Sequence, residues 1–128
     1  MTRIPEKDRH IMEQAIYFPM LLTILNRDLL LIKKNTFKLE KPYIELITIT
    51  MKTIHLELKE TKVYMKNHNM KIQETTRDDA FTVFLFLYKG YEEYHNYFNP
   101  RLRNKVQELL QFYLYKRCKE DANLKLIT

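Results

Sequence analysis

The sequence predicts an all-α fold: a four-helix, bundle-like single domain with a kinked first helix over residues 1–118, followed by a flexible C-terminal tail over 119–128. Three observations carry that expectation. Apolar residues recur at helical steps of three and four in four separate stretches of the 128-residue chain. Gly90 is the one glycine, whereas hairpin-rich β folds call on glycine for turns at positive φ. The connecting segments are short, and no internal repeat or low-complexity linker divides the chain.

The first helix starts at Pro5, a residue suited to a first helical turn, with Glu6 and Asp8 favourably placed near the positive end of the dipole. Its stripe runs Ile11, Ala15, Phe18, Leu22, Leu25, Leu29 and Ile32. Pro19 lies inside it, removing one backbone donor and crowding the Ala15 carbonyl, so a kink near Phe18 is expected. Residues 35–38 read as a connector. Pro42 restarts a helix over 42–66, with Ile44, Ile47, Met51, Ile54, Leu58 and Met65 as its stripe. Two alternating runs, 47–51 and 54–58, compete for a strand assignment there. They are out of phase and no turn residue separates them, so one helix accounts for the whole span.

Asn67-His68-Asn69 is a stop signal, and residues 70–75 read as extended. Thr76 with Asp79 resembles a capping box, and a third helix is expected over 80–98 with Phe81, Phe84, Tyr88, Tyr91, His95 and Phe98 on one stripe. Its first half is apolar all round, which makes it the predicted centre of the core. Asn99-Pro100 reads as an N-cap and first-turn proline for the last helix, whose stripe is Leu102, Val106, Leu109 and Tyr113.

Composition narrows function mainly by exclusion. A single glycine removes the P-loop, the dinucleotide fingerprint and the nucleophile elbow, each of which needs several. A single Cys118 excludes an internal disulfide and cysteine-based zinc frameworks, and fits a reducing compartment. Residues 1–9 are charged, without an apolar core of signal-peptide type, and the longest apolar run, 81–88, falls far short of the roughly 20 residues of a bilayer helix. The expectation is a soluble cytoplasmic protein with no membrane contact. The formal charge is +6, and residues 33–66 carry eight Lys or Arg against four Asp or Glu. Such dispersed charge is weak support for a dedicated nucleic-acid binder.

Glu92 and His95 form one E-x-x-H, which on a helix places carboxylate and imidazole on one face. Di-iron bundles need two such motifs plus two further glutamates, so one copy points to packing and not to metal. Cys118 lies between Arg117 and Lys119 at a helix C-terminus, where the dipole opposes a thiolate, and reads as unreactive. No catalytic constellation, metal site or cofactor is expected. Tyr88, Tyr91, Tyr94 and Tyr97 at steps of three would drift about 60° per step round a helix, so some seal the core and others reach the surface. Tyr91, Tyr94, Tyr97, Arg101 and Arg103 are the expected interaction surface.

The segments Ile4-Pro5-Glu6-Lys7-Asp8-Arg9, Lys41-Pro42-Tyr43-Ile44-Glu45-Leu46 and Tyr88-Lys89-Gly90-Tyr91-Glu92-Glu93-Tyr94-His95-Asn96-Tyr97-Phe98-Asn99-Pro100-Arg101 resemble the small YhjD-like proteins of Bacillus-type bacteria. The resemblance spans most of residues 1–117. It implies a bacterial, cytoplasmic, helical protein and carries over no functional residue. The reading that follows is a non-enzymatic protein–protein interaction or regulatory module, with a homodimer as one form of it. The alternative is a weakly nucleic-acid-associated protein using basic surfaces in 33–66 and 101–119.

Overall fold

A computed structural model describes the backbone of residues 3–34 and 37–127, and side chains within those ranges up to residue 115. Residues 35 and 36 of the expected connector lie outside it, as do the side chains of Cys118 and of the expected tail. The fold is α+β and not an all-α bundle. Its order is α1 (Glu6–Lys34), α2 (Lys41–Asn67), β1 (Met70–Arg77), β2 (Phe81–Tyr88), β3 (Tyr91–Phe98) and α3 (Asn99–Ile127). The strands form one antiparallel sheet in the order β1-β2-β3.

The predicted third helix over 80–98 is therefore a β-hairpin. Lys89 and Gly90 both take positive φ, 47° and 90°. That is the geometry of a two-residue primed turn, whose twist matches the flanking strands. Tyr88 pairs with Tyr91 across it, and the register runs without a break to Phe81 opposite Phe98. A run that is apolar at nearly every position fits a helical stripe and a strand equally well. Its aromatic and β-branched content and its single, well-placed glycine decide for the strand. The one glycine thus marks a hairpin instead of excluding one.

In place of the helix-capping box expected of Thr76 and Asp79, the segment forms a turn between β1 and β2 that Asp78 organises. Asp78 Oδ1 accepts hydrogen bonds from the backbone N–H groups of Ala80 and Phe81, at 2.8 and 2.7 Å, and so shapes the turn. Those bonds hold its carboxyl below the ordinary range. Asn99 fixes the other end of the hairpin. Its Oδ1 accepts from Thr82 Oγ1 at 2.7 Å, and its Nδ2 donates to the Asp78 carbonyl at 2.9 Å.

Helices α2 and α3 largely follow their expected stripes, whereas in α1 only Phe18 and Leu25 of the expected stripe are buried and Met12, Ile16 and Leu21 supply the rest of its buried apolar face. Helix α1 runs unbroken through Pro19, where Thr23 Oγ1 donates to the Pro19 carbonyl at 2.9 Å. Helix α2 covers the ambiguous 47–58 segment without a break. Phe18, Leu21 and Leu25 of α1 meet Ile47, Ile54 and Leu58 of α2, with Val106 and Tyr113 of α3, in a three-helix core. Nearer the start of α1, Met12 and Ile16 meet Met65 at the end of α2, together with Met70, Phe84, Phe86 and Tyr88 from the sheet. Early α1 beside late α2 makes the pair antiparallel, and the sheet closes one end of that pair with one face. An 18-residue window of α1 has mean hydropathy 1.5, long and apolar enough by composition to cross a bilayer. Run length alone missed this property. In the fold the same helix supplies buried residues to both cores.

Candidate functional site

A strand alternates its side chains between two faces, so the five expected interaction residues do not share one surface. Tyr97 points inward, donating from its hydroxyl to Glu13 Oε2 at 3.0 Å and meeting Phe84 edge-on at 5.6 Å. Tyr91 carries the Arg3 guanidinium 4.5 Å above its ring. Tyr94 points the other way and is 65% exposed. Arg101 lines a cleft with Glu13, Tyr17 and Tyr97, whereas Arg103 lines a separate groove between α1, α3 and the inner face of the sheet. That groove has a volume of about 730 Å³ and a mainly apolar lining that includes Ile16, Met20, Phe84 and Val106.

The E-x-x-H pair is separated by the same alternation. Glu92 and His95 project to opposite faces of β3, and His95 Nε2 lies 3.0 Å from Glu93 Oε1 instead. Glu93 also accepts the Arg3 backbone N–H at 2.8 Å. Among the described residues no group of three or more His, Cys, Asp or Glu could hold a metal ion.

Much of the tyrosine content is spent on carboxylates that are buried, as Asp8 is, or half-buried, as Glu13 and Glu57 are. Asp8 accepts from Tyr88 at 2.6 Å and from Tyr64 at 2.9 Å, tying α1 to both β2 and α2. The Tyr88 hydrogen bond is the main reason its carboxyl stays below the ordinary range, against desolvation that pushes it up. In return, the bond to Asp8 pushes the Tyr88 hydroxyl up to about 12. Glu13 takes Tyr97 in the same way, and Glu57 of α2 takes Tyr113 of α3. Burial is the first cause of the raised values of Tyr97 and Tyr113. These pairs fasten element to element, and each hydroxyl has a partner. They are structural.

The outer face of the sheet is different. By register it carries Phe81, Val83, Leu85 and Leu87 down the central strand, with Tyr94 and Phe98 on β3. Phe81 and Phe98 pack ring to ring at 5.5 Å. Val83, Leu85 and Leu87 belong to neither core cluster, although their neighbours Phe84, Phe86 and Tyr88 on the same strand are buried in one. So β2 is apolar on both faces and only one is covered. An antiparallel sheet with a solvated face ordinarily alternates apolar with polar residues. At one end of this face Lys71 of β1 and Glu92 of β3 flank Leu87 in a single row. Sequence reasoning missed the face because it put these residues all round a helix. Two aromatic-rich runs separated by Lys89-Gly90 were the signal for it.

Residues 3–118 match the family model described as YhjD protein. The chain is 43% identical over 115 residues to "Uncharacterized protein YhjD" of Bacillus subtilis (strain 168), an alignment covering 90% of this chain and 96% of that one. No solved structure matches it.

Proposed function

The chain belongs to the YhjD family, and we propose that it works as a non-enzymatic protein-interaction module whose contact surface is the outer face of the β1-β2-β3 sheet. One observation carries this reading: the central strand presents Val83, Leu85 and Leu87 on a face that no core cluster covers. Burying such residues is favourable by about 25 cal/mol per Å² of apolar area, and an uncovered apolar face on a folded protein marks a contact site. The fold supports the face rigidly, through the buried residues on the opposite side of the same strand. Leu85→Lys should shift the protein to the monomer position in size-exclusion chromatography, with its melting temperature within a few degrees of wild type. A variant that elutes as wild type does would contradict the assignment.

A second reading has its own observation. Lys52, Lys59, Lys62 and Lys66 line one exposed face of α2 around Leu56 and Val63. Four lysines can release about four counterions from a nucleic acid, so binding would weaken with salt at a log–log slope no steeper than about −4. The expected result is weak, non-specific oligonucleotide binding that is lost near physiological salt. Tight oligonucleotide binding by a strict monomer would reverse the order of the two readings.

A further inference from the structure

We infer that the outer sheet face takes a second copy of this chain, related to the first by a two-fold axis running along β2. The inference rests on the interaction reading above and on the self-association through which that reading is tested, and it adds the symmetry. Its basis is the register. Rows across the outer face run Lys71–Leu87–Glu92, Gln73–Leu85–Tyr94 and Thr76–Val83–Asn96. A 180° rotation about an axis along β2, midway between two stacked sheets, keeps every row at its own height and exchanges its ends. Strand β2 then lies over β2 of the second copy, and β1 lies over β3. Leu87, Leu85 and Val83 meet their own counterparts. Lys71 comes opposite Glu92 of the second copy, twice per dimer, and Gln73 comes opposite Tyr94.

This is the self-complementarity that an isologous interface requires. A two-fold across the strands would place Lys71 over the Thr76 end of β1 and Glu92 over the Phe98 end of β3. Neither end offers an opposite charge on this face. Lys71 and Glu92 are both exposed, and among the described residues neither forms an ion pair. Stacked sheets sit about 10 Å apart, within reach of a lysine and a glutamate extended from opposite sides.

Area sets the strength. Three strands of eight residues span roughly 27 by 14 Å, a footprint on the order of 400 Å² before side-chain relief. A standard interface buries about 800 Å² per partner. The dimer is therefore weak and concentration-dependent, with the apolar centre supplying affinity and the charged rim supplying register.

The test uses charge reversal in the full chain, with dissociation constants from sedimentation equilibrium and folding checked by thermal melts. Lys71→Glu and Glu92→Lys each put two like-charge pairs in the dimer and should each weaken it by on the order of tenfold. The double variant Lys71→Glu/Glu92→Lys should return to within about twofold of wild type. An equimolar mixture of the two single variants should form a heterodimer at least as tight as the wild-type dimer, because every facing pair is then opposite in sign. If neither single variant weakens association, or the mixture associates no better than its parts, the two-fold along β2 is wrong. Leu85→Lys separates the two levels. If it abolishes dimers while the charge variants do nothing, the face remains the contact and only the symmetry fails. If it too does nothing, the interaction reading fails with it.

Discussion

Phe86→Ala is expected to destabilise the protein by about 4 kcal/mol, the usual cost of emptying a phenylalanine site in a core. Phe86 is 0% exposed, lies within the helix–sheet cluster and packs against His95 with ring centroids 4.3 Å apart. Domains of this size are stable by only about 5–15 kcal/mol, so the variant should unfold at a much lower denaturant midpoint. Leu85 is the immediate neighbour on the same strand but faces outward, and Leu85→Ala should cost under about 1 kcal/mol in the monomer. The contrast is the informative quantity. Denaturant unfolding of the two variants at low protein concentration checks it. Equal costs would mean that the outer face is packed after all.

Asp8→Ala is expected to cost about 3 kcal/mol near neutral pH, because a charged acceptor is removed and two buried or half-buried hydroxyls lose their partner at once. Asp8 is 8% exposed, so water does not readily replace the lost bonds. The effect should depend on pH with a definite sign. The Asp8 carboxyl is held below its ordinary value of 3.8, first by the Tyr88 hydrogen bond. Its contribution is therefore full above about pH 4 and is lost as pH falls through the lower folded value. The gap between wild type and Asp8→Ala should close at acidic pH. At the alkaline end the tyrosines act in the opposite sense. Tyr88, through Asp8, and Tyr17, through burial and Glu13, are pushed up to about 12 from 10.0. Their contribution is full below pH 10 and is lost as pH rises through 12. Denaturant midpoints between pH 2 and 8, with tyrosinate absorbance above pH 9, measure both limbs. A gap that stays constant down to pH 2 would contradict the role given to Asp8.

The helices could be read from sequence because their signals were redundant. In α2 the apolar spacing, Pro42 at the start and Asn67-His68-Asn69 at the end agreed, and they outweighed two short alternating runs. The extended reading of 70–75 became β1, and Asn99-Pro100 opens α3 as expected. The hairpin was not legible for a physical reason. Residues 81–88 are apolar at seven of eight positions, so periodicity held no information about which element they form. The tie-breakers were local: aromatic and β-branched content, and a Lys-Gly pair that takes positive φ in both residues. A count of one glycine argued against turns, while its position called for one.

The same error hid the site. With 80–98 taken as helix, Glu92 and His95 shared a face and the tyrosines spiralled round it. As a strand the segment splits them between two faces, and the outer apolar row of β2 becomes a surface. Of the expected interaction residues, Tyr94 projects from it, and Arg101 borders it in the cleft that it lines with Phe81, Asn96 and Phe98. The tyrosine-to-carboxylate pairs were beyond sequence reasoning, since Asp8 and Tyr88 lie 80 residues apart and meet only through the packing of α1 on the sheet.

Sedimentation equilibrium of the wild-type chain over a hundredfold range of concentration tests the central claim most directly. The outer sheet face as a contact surface for a second copy predicts a reversible monomer–dimer equilibrium with a dissociation constant in the micromolar range or weaker. Burial of apolar area dominates it, so it should change little between low and physiological salt. A monomer mass held constant across the whole range, with wild type and Leu85→Lys indistinguishable, would contradict it.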